Sequence, residues 1–290
     1  MSYFKNNKNY CDDHHLTKLH IYAYGVNRCN VLKNDKQTRM ESNADSLYGD
    51  VSSLIRLEDW ILQLELAARN NSSQACKWLE ILQKKVINIL LPGVKGFECK
   101  TNKLSNNYIE FKTDNGTCRY EDLGYGYQVS LSWIFDFCRK MFERYPDSEN
   151  PLKEAAVVLV DELDLHLHPK WQRTIIHDLS TIFPKTQFIV STHSPLIIQS
   201  IENINLFVLH NHPNGTQVEH FPDTSFQGWT VEEIMCELMD LGENIRPERY
   251  RELKVDFEKA MNSRDFEKGK KAYDELKKIL HPQNVENDLL

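Results

Sequence analysis

The stretch Ala155-Ala156-Val157-Val158-Leu159-Val160-Asp161-Glu162-Leu163-Asp164-Leu165-His166-Leu167-His168-Pro169 decides how this chain is read. An unbroken apolar run ends in two adjacent carboxylates. Such a run fits a parallel strand buried on both faces, which delivers its terminal side chains to the C-terminal edge of a sheet. Open α/β sheets bind their ligands at that edge. Further on, Phe188-Ile189-Val190-Ser191-Thr192-His193-Ser194 repeats the arrangement, with Thr192 and His193 at the tip. Two neighbouring strand tips, one carrying Asp161 and Glu162 and the other His193, point to nucleotide hydrolysis. No G-x-x-x-x-G-K-[ST] phosphate loop occurs in the sequence.

Composition narrows the field around these motifs. Lys and Arg number 35 against 42 Asp and Glu, a net charge of -7. That balance gives no global reason to expect nucleic-acid binding, although a local basic patch stays open. An apolar share of 41% with 27% charged residues is ordinary for a soluble globular protein. The length allows a real core and one or two domains. No run reaches membrane-span length and residues 1–9 are polar, so neither a membrane segment nor a signal peptide is expected. The seven cysteines show no C-x-x-C spacing. They read as reduced thiols of a cytoplasmic protein. Cys11, His14 and His15 fit no standard metal spacing, and His166 and His168 read as loop packing.

Four stretches are expected. Residues 1–20 are polar and read as disordered or displaced. Residues 21–119 hold a short strand at 20–24, a polar loop at 30–50, amphipathic helices at 53–69 and 72–91, and three short strands. Those strands fall at 97–100, 108–112 and 117–120, with Asp114-Asn115-Gly116 as a hairpin turn. Residues 120–225 carry the chemistry. Leu123-Gly124-Tyr125-Gly126-Tyr127-Gln128 precedes an apolar helix at 129–142, and glycines ahead of a helix N-terminus suit phosphate. The acid-bearing strand, a helix from 169 to about 181, the His-bearing strand and an edge hairpin around Asn214-Gly215 follow. Residues 226–290 are helical and charged, with a loose tail past Pro282. Trp229, Ile234, Leu238 and Leu241 should pack inward. The strand at 156–160 needs cover on both faces, and the helices at 129–142 and 170–181 supply part of it. Exposed apolar surface is therefore expected, and with it self-association or binding of a partner.

These motifs resemble the ABC/SMC-like ATPase heads, and most closely the AAA-family ATPases of Septu and related retron anti-phage defence systems. Residues 157–162 resemble the Walker B strand and residues 163–168 the D-loop. Ser191-Thr192-His193-Ser194-Pro195 is similar to the switch-histidine strand, and residues 123–128 sit where the ABC signature lies. Tyr24-Gly25-Val26-Asn27-Arg28 resembles the Y-G-x-x-R that follows the N-terminal lobe in this group. The stretch 228–234 and the Lys/Glu-rich end look like a Septu-type tail.

The resemblance implies an α/β fold: a partial ABC/SMC-like P-loop NTPase head with a helical insert and a helical C-terminal tail. It implies ATP and Mg²⁺ as cofactors. Asp161 would hold Mg²⁺, usually through water. Glu162 would orient or deprotonate the attacking water, and His193 would reach the γ-phosphate or that water. Gly124, Gly126, Tyr127 and Gln128 would close on a nucleotide held by the opposite subunit, and Asp164 would act across that dimer interface. Gly124 stands where the family's signature has a Ser. The absent phosphate loop implies a truncated product or half of a split ATPase. The implied function is an ATPase subunit of a prokaryotic anti-phage defence complex with an HNH-type nuclease, a homo-oligomer that reaches DNA through the complex. A DNA-repair or recombination SMC-like head and a non-hydrolysing protein-binding scaffold are the alternatives. Helices at 53–91 are too short for the long coiled coil of the former.

Overall fold

The computed structural model describes residues 20–28, 54, 56–102, 107–242 and 246–280. The loop at 30–50, the trio Cys11, His14 and His15, the first residues of the first helix and the tail past Pro282 lie outside these.

The chain divides into two compact units, Met1–Ile201 and Glu202–Leu290. The first is built on the acid-bearing strand. Three parallel strands, β1 (Ile21–Tyr24), β5 (Ala156–Val160) and β6 (Thr186–Val190), lie in the order β1-β5-β6. This is the α/β architecture that the apolar run implies. Tyr22, Val158 and Phe188 stand in register, as do Tyr24, Val160 and Val190. That face packs on a long helix, α3 (Tyr125–Arg144). Ring contacts Tyr22–Phe137 at 5.2 Å and Tyr24–Trp133 at 5.5 Å make the seam. The opposite face presents Ile21 and Ile189, 50% and 52% exposed.

The far side of α3 meets the helices α1 (Leu57–Arg69) and α2 (Ser73–Ile81), with Trp78 stacked on Phe142 at 4.9 Å. Ser72 caps α2 by accepting the Ala75 N–H at 3.3 Å. The expected helix to residue 91 is not uniform. Residues Leu82–Ile87 widen into a π-helical stretch before the turn Asn88–Leu90. An antiparallel sheet follows, β2 (Val94–Thr101), β3 (Asn107–Thr113) and β4 (Gly116–Arg119). Its Phe97, Ile109 and Phe111 enter the same core as α3, and its outer face pairs Lys100 with Glu110 and Lys112 with Glu98.

Two helix boundaries differ from the sequence expectation. α3 begins at Tyr125 rather than 129, so the glycine-bearing segment forms its first turn instead of preceding it. The helix expected from 169 to 181 breaks into α4 (Pro169–Gln172) and α5 (Ile175–Ile182), before a short α6 (Pro195–Ser200).

In the second unit β7 (Ile204–His212) and β8 (Gly215–Thr224) form a separate two-stranded sheet. The hairpin belongs to the same compact unit as the C-terminal helices, so the boundary falls after Ile201 rather than at 225. Thr230 and Glu233 form a reciprocal capping box that starts α7 (Val231–Glu237). Ile234 and Leu238 are buried, whereas Leu241 is 36% exposed. Helices α8 (Glu248–Asn262) and α9 (Phe266–Ile279) pair around Ala260, Gly269, Ala272 and Leu276.

Candidate active site

Parallel pairing puts Val160 opposite Val190, so Asp161 and Ser191 leave the sheet side by side. The Ser191 hydroxyl donates to Asp161 Oδ1 at 2.5 Å and accepts the Glu162 N–H at 2.7 Å. The Leu163 N–H donates to the Ser191 carbonyl at 2.9 Å. Asp164 reaches back the other way. Its Oδ1 accepts the Thr192 hydroxyl and, at 3.2 Å, the His193 N–H. The two strand tips are thereby cross-tied, and Asp161, expected to hold the metal, shares one edge with Glu162 and His193, the expected catalytic residues. Asp164 is engaged inside its own chain, holding the backbone that carries His193. The His193 ring is open to solvent and Glu162 is partly so.

Glu162 has φ of 46°, in the left-handed region. A residue with a Cβ pays about 1–2 kcal/mol there, so the surroundings must hold it. Arg28 does so: its buried guanidinium meets the Asp161 and Glu162 carbonyls.

The glycine-bearing segment packs on the loop after β5. A Cβ built on Gly126 would fall 2.3 Å from the His166 carbonyl oxygen. Tyr125 meets the His166 ring edge-on at 4.6 Å, and Tyr127 lies 5.3 Å from Trp171. Tyr127 and Gln128 turn their N–H groups to the Gly124 carbonyl, at 2.9 and 3.2 Å. The Tyr127 hydroxyl donates to the Pro92 carbonyl, and the Gln128 amide donates to the Glu121 and Leu123 carbonyls. Four residues expected on one nucleotide surface thus divide. Gly124 stands exposed ahead of the helix, Gly126 is a close-approach residue, and Tyr127 and Gln128 brace the segment. His168 Nδ1 accepts the Lys170 N–H at 3.2 Å, capping α4. His166 and His168 therefore play packing and capping parts.

A methyl group at position 126 cannot be accommodated by a side-chain rotation, because the obstacle is backbone. Gly126→Ala is expected to cost about 1–3 kcal/mol, the scale of an overpacked site. Urea denaturation of the two proteins checks it, and equal midpoints would show that the loop yields freely.

The donor set suits a hard cation only in part. Asp161 and Glu162 supply carboxylate oxygens, but among the described residues no group of three His, Cys, Asp or Glu converges on one point. Mg²⁺ commonly takes one or two carboxylates and completes its shell with water and substrate phosphates. The strand tips fit that mode, and the cradle for the phosphates themselves is not among the motifs of this sequence.

Comparison with known proteins shows the family. The AAA ATPase domain family matches residues 6–198. Septu protein PtuA of Bacillus thuringiensis is 35% identical over 187 residues, which is 63% of this chain and 47% of that protein. The Escherichia coli protein named "Retron Ec83 probable ATPase" is 44% identical over 89 residues, 31% of this chain and 16% of that one. The Smc head domain from Pyrococcus yayanosii is 17% identical with a TM-score of 0.40, covering 64% of this chain and 33% of its own. The chain spans less than half the length of these curated relatives. With the match covering more than half of the chain, Asp161, Glu162 and His193 included, the chain belongs to the AAA ATPase domain family.

Proposed function

We propose that this chain supplies the catalytic strand tips of an ATP-hydrolysing subunit in a prokaryotic anti-phage defence complex. The observation that carries the reading is the cross-tied pair of tips, with Asp161, Glu162 and His193 on one sheet edge. Asp161 would hold Mg²⁺, which supplies charge neutralisation to the phosphates when bound. Glu162, held in its left-handed backbone, is placed to orient or deprotonate water. His193, on the neighbouring tip, is placed to meet developing negative charge. The exposed Gly124 end of α3 faces an opposing nucleotide in a homo-oligomer. The similarity to Septu and retron proteins supports the defence setting. An HNH-type nuclease is the proposed partner, with DNA reached through the complex. No described helix is long and apolar enough to cross a membrane.

In this reading the phosphate cradle is supplied by other polypeptide, since the sequence carries no phosphate-loop motif. The chain by itself is therefore expected to give no micromolar ATP·Mg²⁺ binding by calorimetry. Micromolar affinity amounts to about -8 kcal/mol, and strand-tip carboxylates repel a polyphosphate. Adding a lobe that carries a phosphate loop should produce Mg²⁺-dependent phosphate release. Tight binding by the chain alone would overturn the division of labour, and absence of turnover with the lobe would overturn the hydrolytic reading.

A further inference from the structure

We infer that Arg28 is the positioning residue for Glu162, a reading that rests on Glu162 being the base. Arg28 lies in the turn after β1 and is 1% exposed. Its Nη1 donates to the Asp161 carbonyl at 2.6 Å and to the Gly25 carbonyl at 3.2 Å. Its Nη2 donates to the Glu162 carbonyl at 2.8 Å. One planar fork thus binds two consecutive carbonyls.

Consecutive residues of a strand alternate in direction, and their carbonyls alternate with them. Two neighbours converge on one guanidinium where the chain departs from the extended form between them. At Glu162 that departure is a left-handed reversal, with φ of 46°. The two features support one another. Without the fork, the extended or right-handed backbone is preferred. Without the reversal, a buried cation loses one of its acceptors, and hydrogen bonds to a charged donor are the strong ones. On the other edge of the peptide plane that carries the Asp161 carbonyl, the Glu162 N–H donates to Ser191 Oγ. The φ of Glu162 sets the direction in which its carboxylate leaves the backbone. Arg28 touches no reacting atom; it acts through the main chain on which Glu162 stands. Lysine is no substitute, because a point charge on a flexible stem cannot present two parallel donors in fixed geometry.

Amide hydrogen exchange on the full chain tests this without nucleotide. Arg28→Lys should speed exchange at Glu162 and Leu163 by about tenfold, the scale of a left-handed backbone preference. Amides in the buried middle of α3 should keep their rates. In a Glu162→Gly background, where positive φ carries no Cβ penalty, the same Arg28→Lys change should move those exchange rates far less. If Arg28→Lys alone fails to fold, the double variant decides. A folded double variant supports positioning through residue 162, and an unfolded one makes Arg28 a general core residue and overturns the inference. Unchanged rates at 162 and 163, uniform acceleration through α3, or an undiminished effect with Gly at 162 would overturn it too. None of these outcomes bears on whether Glu162 is the base, which turnover measurements on Glu162 variants decide separately.

Discussion

Replacing Glu162 by Gln should cut ATP turnover by about 10²-fold or more, the scale of a positioned acid–base group, while nucleotide affinity stays at the parent value. The measurement is phosphate release by the chain supplied with a phosphate-loop lobe, alongside calorimetry. Gln keeps the shape and removes the basic oxygen. The structure adds a reason why the substitution is clean. Among the described residues, the bonds that fix residue 162 are main-chain bonds: its carbonyl accepts from Arg28 and from the Leu165 N–H, and its N–H donates to Ser191. A change confined to the carboxylate therefore leaves the left-handed backbone and the neighbouring tip in place. Turnover equal to the parent would remove Glu162 as the base. His193, solvent-open on the adjoining tip, would then be the next group to replace.

Asp136→Ala is expected to be the most destabilising of the single changes considered, at about 3–5 kcal/mol, the loss seen when one partner of a buried ion pair is removed. Asp136 sits in the middle of α3 with its carboxylate shielded from water. Its Oδ2 accepts the Tyr24 hydroxyl at 3.0 Å and Lys140 Nζ at 2.8 Å, and its Oδ1 accepts Arg139 Nη2 at 3.1 Å. The Arg139 and Lys140 side chains are only 10% and 13% exposed. Arg139 keeps Glu143 at 3.0 Å, so the Lys140 ammonium and the Tyr24 hydroxyl lose most. Burial, and then Asp136 itself, push the Tyr24 hydroxyl well above its usual titration range. That hydroxyl stays a donor and needs its acceptor. Urea denaturation measures the cost, and a loss under about 1 kcal/mol would show that the two cations reach water instead. The effect should extend to the site, because the Tyr24 carbonyl accepts the Asp161 N–H at 2.8 Å.

Much of this chain is legible in linear order. The run 155–160 is apolar at every position, so its burial and its parallel pairing need no knowledge of its neighbours. The hairpin signal Asp114-Asn115-Gly116 is equally local, and Gly116 takes the positive φ that the turn requires. Ser72 as a cap depends on residues three positions away. Where the expectation slipped, a distant contact outweighed a local preference. Gly124, Gly126 and the neighbouring Tyr125 and Tyr127 make a poor helix start, which argues for a later one. Yet α3 begins at Tyr125, and Gly126 there admits the His166 carbonyl from forty positions on. The break between α4 and α5 has no glycine or proline to announce it.

The identity of the acids and the histidine, and their place at two strand tips, were determined by the sequence alone. Each tip is marked by the strand that precedes it, and hydrophobic burial dictates the strand. What holds the tips in working order was decided only by the tertiary structure. Arg28 meets carbonyls 133 and 134 positions away, Ser191 bridges back 30 positions to Asp161, and Asp164 ties its carboxylate to Thr192 and the His193 N–H. Backbone carbonyls and amides carry no sequence signature. A side chain that recognises them shows its purpose only once the strands are paired and the chain has reversed at Glu162.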